Sequence, residues 1–299
     1  MKKKKKLSHI GLYVMLILPI VYLIIFKYWP IYGVQIAFRD YSPKYGFTKS
    51  PWVGLKHFKT FFSSYQFGRL LKNTLILGTV SMLVNIPCPI VLALSINSAR
   101  SKKAGKVVQM LTYAPYFIST VIVVSLIIQL CDVRSGLFNI VRGWFGLKAV
   151  NPLSDPGAFR WIYILSGIWQ GTGYGAVIYL STLSGISLDL YEAATIDGAS
   201  IWQKIRYVEL PSILPVTVML TIMNCGSIIN VGFEKVLLLQ NQMNMSTSDV
   251  ISTYVYRIGI GSAQFSYSTA IGLFNSVVSV VLLVLVNTIS SKVSETSLF

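Results

Sequence analysis

Six stretches of the chain are apolar over about twenty residues each, and the segments between them are polar. They cover approximately residues 10–26, 74–96, 107–130, 161–183, 212–233 and 270–290. A helix needs about 20 residues to cross roughly 30 Å of hydrocarbon. Barrel strands would instead alternate polarity over about ten residues. The pattern therefore predicts an all-α integral membrane protein with six transmembrane helices. No Asp, Glu, Lys or Arg falls in the core of any stretch. Pro87 and Pro89 in the second stretch, and Pro115 in the third, remove backbone donors and are expected to kink their helices.

Composition supports this class. Hydrophobic residues make up 54% and charged residues 12% of 299 residues, the latter about half the globular norm. The net charge of +16 does not form one basic patch interleaved with aromatics, so nucleic-acid binding is excluded. Lysines 2–6 precede the first stretch and anchor it on the cytoplasmic side by the positive-inside rule, which with six spans puts both termini there. Arg100, Lys102, Lys103 and Lys106 then also lie inside, whereas the loop from Lys27 to Lys72 carries eight basic residues outside. That loop is rich in aromatics, among them Trp29, Tyr32, Tyr41, Trp52 and Phe61, which suits an interfacial belt or an external contact. No small-x-small cleavage site follows Phe26, so the first stretch reads as a retained span.

Several chemistries are absent. Cys88, Cys131 and Cys225 lack CxxC spacing, and His9 and His57 are isolated, so neither a metal site nor a nucleophile–base centre is expected, nor any cofactor. The chain has no GxxxxGK[ST] motif with which to bind ATP. It also lacks the intramembrane acid that an ion-coupled carrier usually needs. A secondary carrier and a membrane enzyme are both disfavoured.

The polar segment 184–215 holds Asp189, Glu192, Asp197 and Glu209, four of the ten acids. Asp189 is placed to cap a helix whose first turn holds Tyr191 and Glu192. Ala193 and Ala194 allow another surface to approach closely. Asp197 and Gly198 read as a turn. Ser200 and Gln203 match a capping box that starts a short helix with Ile201, Trp202 and Ile205. Pro211 and Pro215 suit the opening of the next span. On these residues alone, the segment fits either a docking surface or an ordinary interfacial helix pair.

The spacing of Glu192, Ala193 and Ala194 to Asp197, Gly198 and Ala199, and on to Leu210 and Pro211, resembles the EAA loop of ABC-importer permeases, with Val208 where Ile is usual. The run from Pro51 to Phe58 with Lys72, Asn73, Thr74 and Leu75 looks like the entry of sugar permeases. Asn230 to Glu234, Thr253 to Arg257 and the Ser-Leu-Phe ending resemble the oligosaccharide/polysaccharide branch. The resemblance implies a six-helix type I (MetI-like) permease domain over residues 10–299 behind a basic cytoplasmic stretch 1–9. It further implies a bacterial plasma-membrane location, a second homologous permease, two copies of an ABC ATPase, and an extracellular lipid-anchored or periplasmic solute-binding protein. Glu192 would pair with a basic residue of the ATPase, with Gly198 forming the bend. Permeases for non-sugar solutes share this loop and stay open as an alternative.

Sugars are held by aromatic faces and hydrogen-bonding groups. Gln170, Gly171 and Tyr174 before the loop, and Ser227 and Asn230 after it, are the candidates for solute contact. Gly171, Tyr174 and, with a one-residue shift after Pro211, Asn230 resemble pocket positions of the maltose-type permease. Each equally suits helix packing or interhelical hydrogen bonding.

Overall fold

The computed structural model describes residues 2–294, with side chains from Gly11 to Lys292. The side chains of lysines 2–6 and the Ser-Leu-Phe ending therefore lie outside the described residues. The described chain is helical apart from turns and one isolated antiparallel bridge between Arg39 and Trp52. We number its longer helices α1 (Lys2–Leu23), α2 (Phe67–Asn85), α3 (Pro87–Asn97), α4 (Lys102–Tyr113), α5 (Thr120–Leu130), α6 (Pro156–Ser184), α7 (Leu188–Ile196), α8 (Leu210–Gly226) and α9 (Phe265–Ser294).

Four helical segments among the described residues are long and apolar enough to cross a membrane: Gly11–Phe38, Phe67–Asn97, Ile201–Gly226 and Phe265–Lys292. The pair Lys102–Phe117 and Thr120–Leu130 makes a fifth if its 99° bend is taken within one span. The remaining expected span corresponds to α6. At 29 residues it is long enough, but polar and small residues such as Ser166, Gln170 and Thr172 dilute its hydropathy. Every described side chain of α1 is exposed, leaving a continuous apolar surface from Leu12 to Phe26.

Proline explains the sharpest break. Pro115 cannot donate to the ladder of α4, and the chain passes through a 3₁₀ turn, Ala114–Phe117, into extended Ile118 and Ser119. Ser119 then caps α5, its hydroxyl accepting from the Ile122 N–H at 3.4 Å. The carbonyl of Ile118, freed by the break, accepts from Nε2 of Gln170 at 3.0 Å. An apolar solvent would leave that carbonyl unpaired, so the Gln170 amide is what makes the break tolerable. Pro87 has a milder effect, because it opens α3 at a first-turn position that needs no donor. The fifth apolar stretch ends at Gly226 rather than Phe233. Beyond it, the backbone of residues 227–230 forms overlapping turns, with Asn230 N–H on the Ser227 carbonyl at 2.9 Å.

The chain divides into two compact units, Met1–Ser64 with Val255–Phe274 and Tyr65–Tyr254 with Asn275–Phe299. In the first, Trp52 stacks on Phe38, and Arg39 lies over the Trp52 ring while donating to the carbonyls of Phe47 and Ser50. Phe61, 1% exposed, meets Tyr267 and Phe274 edge-on. The aromatic loop thus has a packed interior of its own. In the second unit α6 packs against α2, α3, α4 and α8. One apolar cluster joins Leu77, Val124, Phe159, Val236 and Val250, and another joins Ala93, Ala176, Tyr179, Leu183 and Ile213.

Glycine sets the closest approach. A Cβ on Gly173 of α6 would stand 2.0 Å from the Thr112 carbonyl oxygen, whereas one on Gly171 would meet nothing within 4 Å. Backbones that lie this close maximise dispersion contacts where lipid supplies little hydrophobic drive. We expect Gly173→Ala to lower stability by about 1–3 kcal/mol, as overpacking does, and Gly171→Ala to leave it unchanged. Thermal unfolding of the detergent-solubilised protein measures both, and equal melting temperatures would refute the packing assignment.

Candidate functional site

The segment 184–215 folds as a helix, a tight turn and a second helix. Ser187, not Asp189, caps α7: its hydroxyl accepts from the Asp189 N–H at 3.2 Å, while Asp189 stands in the first turn. Ser binds the backbone in its own cap, and the acid is left to favour the positive helix end. At the other end Gly198 takes φ +71°, and the Ala199 N–H reaches back to the Ala194 carbonyl at 2.9 Å. That is a Schellman stop, which an L side chain at position 198 would strain. The expected capping box is present, with Ser200 N–H on the Gln203 side chain at 2.7 Å and Gln203 N–H on the Ser200 hydroxyl at 3.4 Å. The Lys204 ammonium donates to the Thr195 hydroxyl at 2.8 Å and ties the second helix to the first.

Glu192, Ala193, Asp197 and Gly198 are exposed, and Ala194 and Ala199 half-buried. Neither Glu192 nor Asp197 takes part in an ion pair among the described residues. Around them Leu188, Ile196, Trp202 and Tyr207 are each more than two-thirds exposed, Ile196 reaching 86%. A short helix pair that shows this much apolar surface beside acids outside any ion pair has the make-up of a contact face. Leu210 and Pro211 open α8, which continues from Ile201 through a π turn, Ile205–Glu209.

Glu209, which the sequence marks only as one of the four acids of this segment, stands at the centre of this arrangement. Glu209 is 3% exposed, and its Oε1 accepts from Nδ2 of Asn97 at 2.7 Å and from the Tyr191 hydroxyl at 3.1 Å. It joins the end of α3, the middle of α7 and the head of α8. Its position just before Leu210 and Pro211 was visible, but nothing local pointed to Asn97, 112 residues away. Burial and the Glu209 carboxylate together push the Tyr191 hydroxyl above its ordinary pKa, so it remains a donor.

The solute candidates fall into two groups. Ser227 and Asn230 line a cavity of about 210 Å³ with Asn85, Asn224, Ser81 and Tyr163. Asn230 accepts from the Asn275 amide at 2.8 Å, and the Gly232 N–H donates to the Tyr163 hydroxyl. Gln170, Gly171 and Tyr174 do not line that cavity. Tyr174 stacks face to face with Tyr116 at 4.0 Å and lies parallel to Tyr113, an aromatic shelf that no spacing rule announced. Gln170 spends its amide on the Ile118 carbonyl.

Residues 85–295 match the model of the binding-protein-dependent transport system inner membrane component. The chain belongs to that family. This permease is 41% identical to Protein LplB of Bacillus subtilis over 288 residues, covering 96% of this chain and 91% of that one. It is also 41% identical to the Polygalacturonan/rhamnogalacturonan transport system permease protein YteP of the same organism, over 96% of this chain and 90% of the relative. Its fold is similar to that of a chain in the crystal structure of a bacterial ABC transporter involved in the import of the acidic polysaccharide alginate. The TM-score is 0.89 at 40% identity, over 98% of this chain and 100% of that one. A second structure, the alginate transporter in complex with an alginate pentasaccharide-bound periplasmic protein, gives the same score over 99% of each chain.

Glu209 gives the permease a testable internal joint. Glu209→Ala leaves the Tyr191 hydroxyl without its acceptor and the Asn97 amide with only the Tyr191 hydroxyl at 3.4 Å, a loss of about 1–3 kcal/mol. Glu209→Gln keeps an oxygen in place. Amide exchange across α7 should therefore quicken by about tenfold in the alanine variant and little in the glutamine variant. Unchanged exchange in both would show that Glu209 does not hold α7.

Proposed function

We propose that this chain is one of two paired permease subunits of an ATP-driven ABC importer in a bacterial plasma membrane. Its cargo is an oligosaccharide or related glycoside handed over by an extracellular lipid-anchored or periplasmic solute-binding protein. The observation that carries this reading is the exposed helix–turn–helix of residues 184–215, built with the EAA spacing and joined through Glu209 to two further helices. The family match and the full-length similarity to saccharide permeases point the same way. In this reading α6 and the bent pair α4–α5 complete six spans, and both termini and the 184–215 loop face the cytoplasm.

The mechanism follows from what the chain holds and what it lacks. It has no ATP-binding motif of its own, so energy enters through separate ATPase subunits. Glu192 meets a basic residue there, while Ala193, Ala194 and Ala199 let the two surfaces close up. Asp197 and Gly198 supply the bend, and Leu210 and Pro211 deliver the loop into the membrane. ATP binding draws the two ATPases together, the loop moves with them, and the helices exchange an inward-facing arrangement for an outward-facing one. Ser227 and Asn230 offer hydrogen bonds to the solute, and Tyr174 beside Gly171 and Gln170 offers an aromatic face.

Two experiments test this. Glu192→Lys should cut ATPase association and uptake by roughly tenfold or more, the scale of reversing one interfacial charge, and full activity in that variant would sink the coupling role. Alanine at Tyr174 or Asn230, and Ala in place of Gly171, should weaken uptake while the assembled complex is recovered at normal yield. Unchanged uptake removes the residue concerned from the solute path.

A further inference from the structure

One buried charge stands apart from the 184–215 loop and from the lining of the cavity. Lys235 stands in the short helix Phe233–Leu239 and is 9% exposed. Its ammonium lies over the ring of Tyr163, 5.4 Å from the centroid, and 3.9 Å from where a Cβ on Gly167 would stand. Lys235 forms no ion pair and no hydrogen bond among the described residues. Glu234, its neighbour in sequence, is exposed and unpaired with it. Burial draws the ammonium down to about 8, which leaves about nine-tenths of it charged at pH 7.

A charge in this position is costly. Removing an ammonium from water without a counter-ion loses several kcal/mol that a cation–π contact only partly returns. A neutral side chain of similar length would pack there more cheaply. The arrangement makes sense when an anion visits the site.

The surroundings indicate which anion. Tyr163 carries Lys235 on its ring and also lines the cavity of about 210 Å³ that holds Asn85, Asn224, Ser227 and Asn230. That lining offers amides and hydroxyls and contains no carboxylate, so it suits the hydroxyls of a sugar and repels no acid. On α6, Tyr163, Gly167, Gly171 and Tyr174 follow one another at spacings of four, four and three residues. They therefore share one helix face, and Lys235 stands over the same face as the solute candidates.

We propose that Lys235 is a charge-selecting residue of the solute path, and that the saccharide carried by this permease bears carboxylates, as uronate-containing oligosaccharides do. The proposal rests on the saccharide reading given above. The lysine supplies a fixed positive site for each passing carboxylate, while Ser227 and the asparagines exchange hydrogen bonds with the neighbouring hydroxyls. Arginine would keep the charge, whereas glutamine would keep a donor without it.

The test uses the whole complex, permease pair, ATPases and cognate binding protein, in proteoliposomes. The probes are oligogalacturonates and oligomannuronates, each beside its carboxyl-reduced neutral counterpart. The intact complex should take up an acidic oligomer in preference to its neutral form. Lys235→Gln should reduce uptake of the acidic oligomer by about tenfold or more, the scale of one charge-assisted hydrogen bond. Basal ATP hydrolysis and complex yield should hold, and Lys235→Arg should restore most of the uptake. Uptake of neutral oligomers alone would overturn the proposal and leave the saccharide reading standing; uptake of neither would overturn the proposal, and failure of every saccharide to protect the cognate binding protein from heat would overturn the saccharide reading as well. Equal loss of acidic and neutral uptake in Lys235→Gln would assign the residue a structural role. Loss of complex yield in step with uptake would assign Lys235 to folding or assembly, and either result would overturn the proposal.

Discussion

The backbone contact between α6 and the break after α4 is the constraint on which the larger unit depends. Gly173 lies against the Thr112 carbonyl with no room for a methyl group, and three residues earlier Gln170 closes the open carbonyl of Ile118. The first contact brings the broken helix close, and the second makes the break electrically acceptable there. Each needs the other. Without the close approach the Gln170 amide would not reach, and without the amide a bare carbonyl would face an apolar interior. The stacked Tyr113, Tyr116 and Tyr174 follow from the same approach, because they lie on either side of it.

Glu209 plays the corresponding part at the loop. Apolar packing alone would let α7 slide over its neighbours, since shape complementarity between aliphatic surfaces is weakly directional. A single buried oxygen that accepts from both Asn97 and Tyr191 fixes one position. The elements it connects are the ones a docking partner would have to move together.

Much of this was legible in the sequence. Apolar run lengths gave the helices, and cap chemistry gave the turn at Gly198 and the Ser200–Gln203 box almost residue for residue. Three things were not legible, each for a physical reason. The end of α8 at Gly226 was hidden because residues 227–233 are still apolar enough to extend a hydropathy window, although the backbone there has already turned. The capping role fell to Ser187 because neighbouring Ser and Asp compete for the same N–H groups, and composition does not say which one wins. Glu209, Lys235 and the tyrosine shelf depend on long-range pairing, which no local pattern encodes. Gln170 shows the limit from the other side. Its chemistry suits a ligand, yet its amide is already engaged by the protein itself.

The π turn Ile205–Glu209 has a consequence for how such a chain can change over time. A regular helix carries one angular phase from end to end, so altering one face at the loop alters what faces the bilayer further on. A wider turn inserts a residue and breaks that phase. The helical wheel of Ile201 to Lys204 is thereby uncoupled from the wheel of Leu210 to Gly226. Substitutions that retune the exposed surface can accumulate on one side of the turn while the lipid-facing register on the other stays as it was.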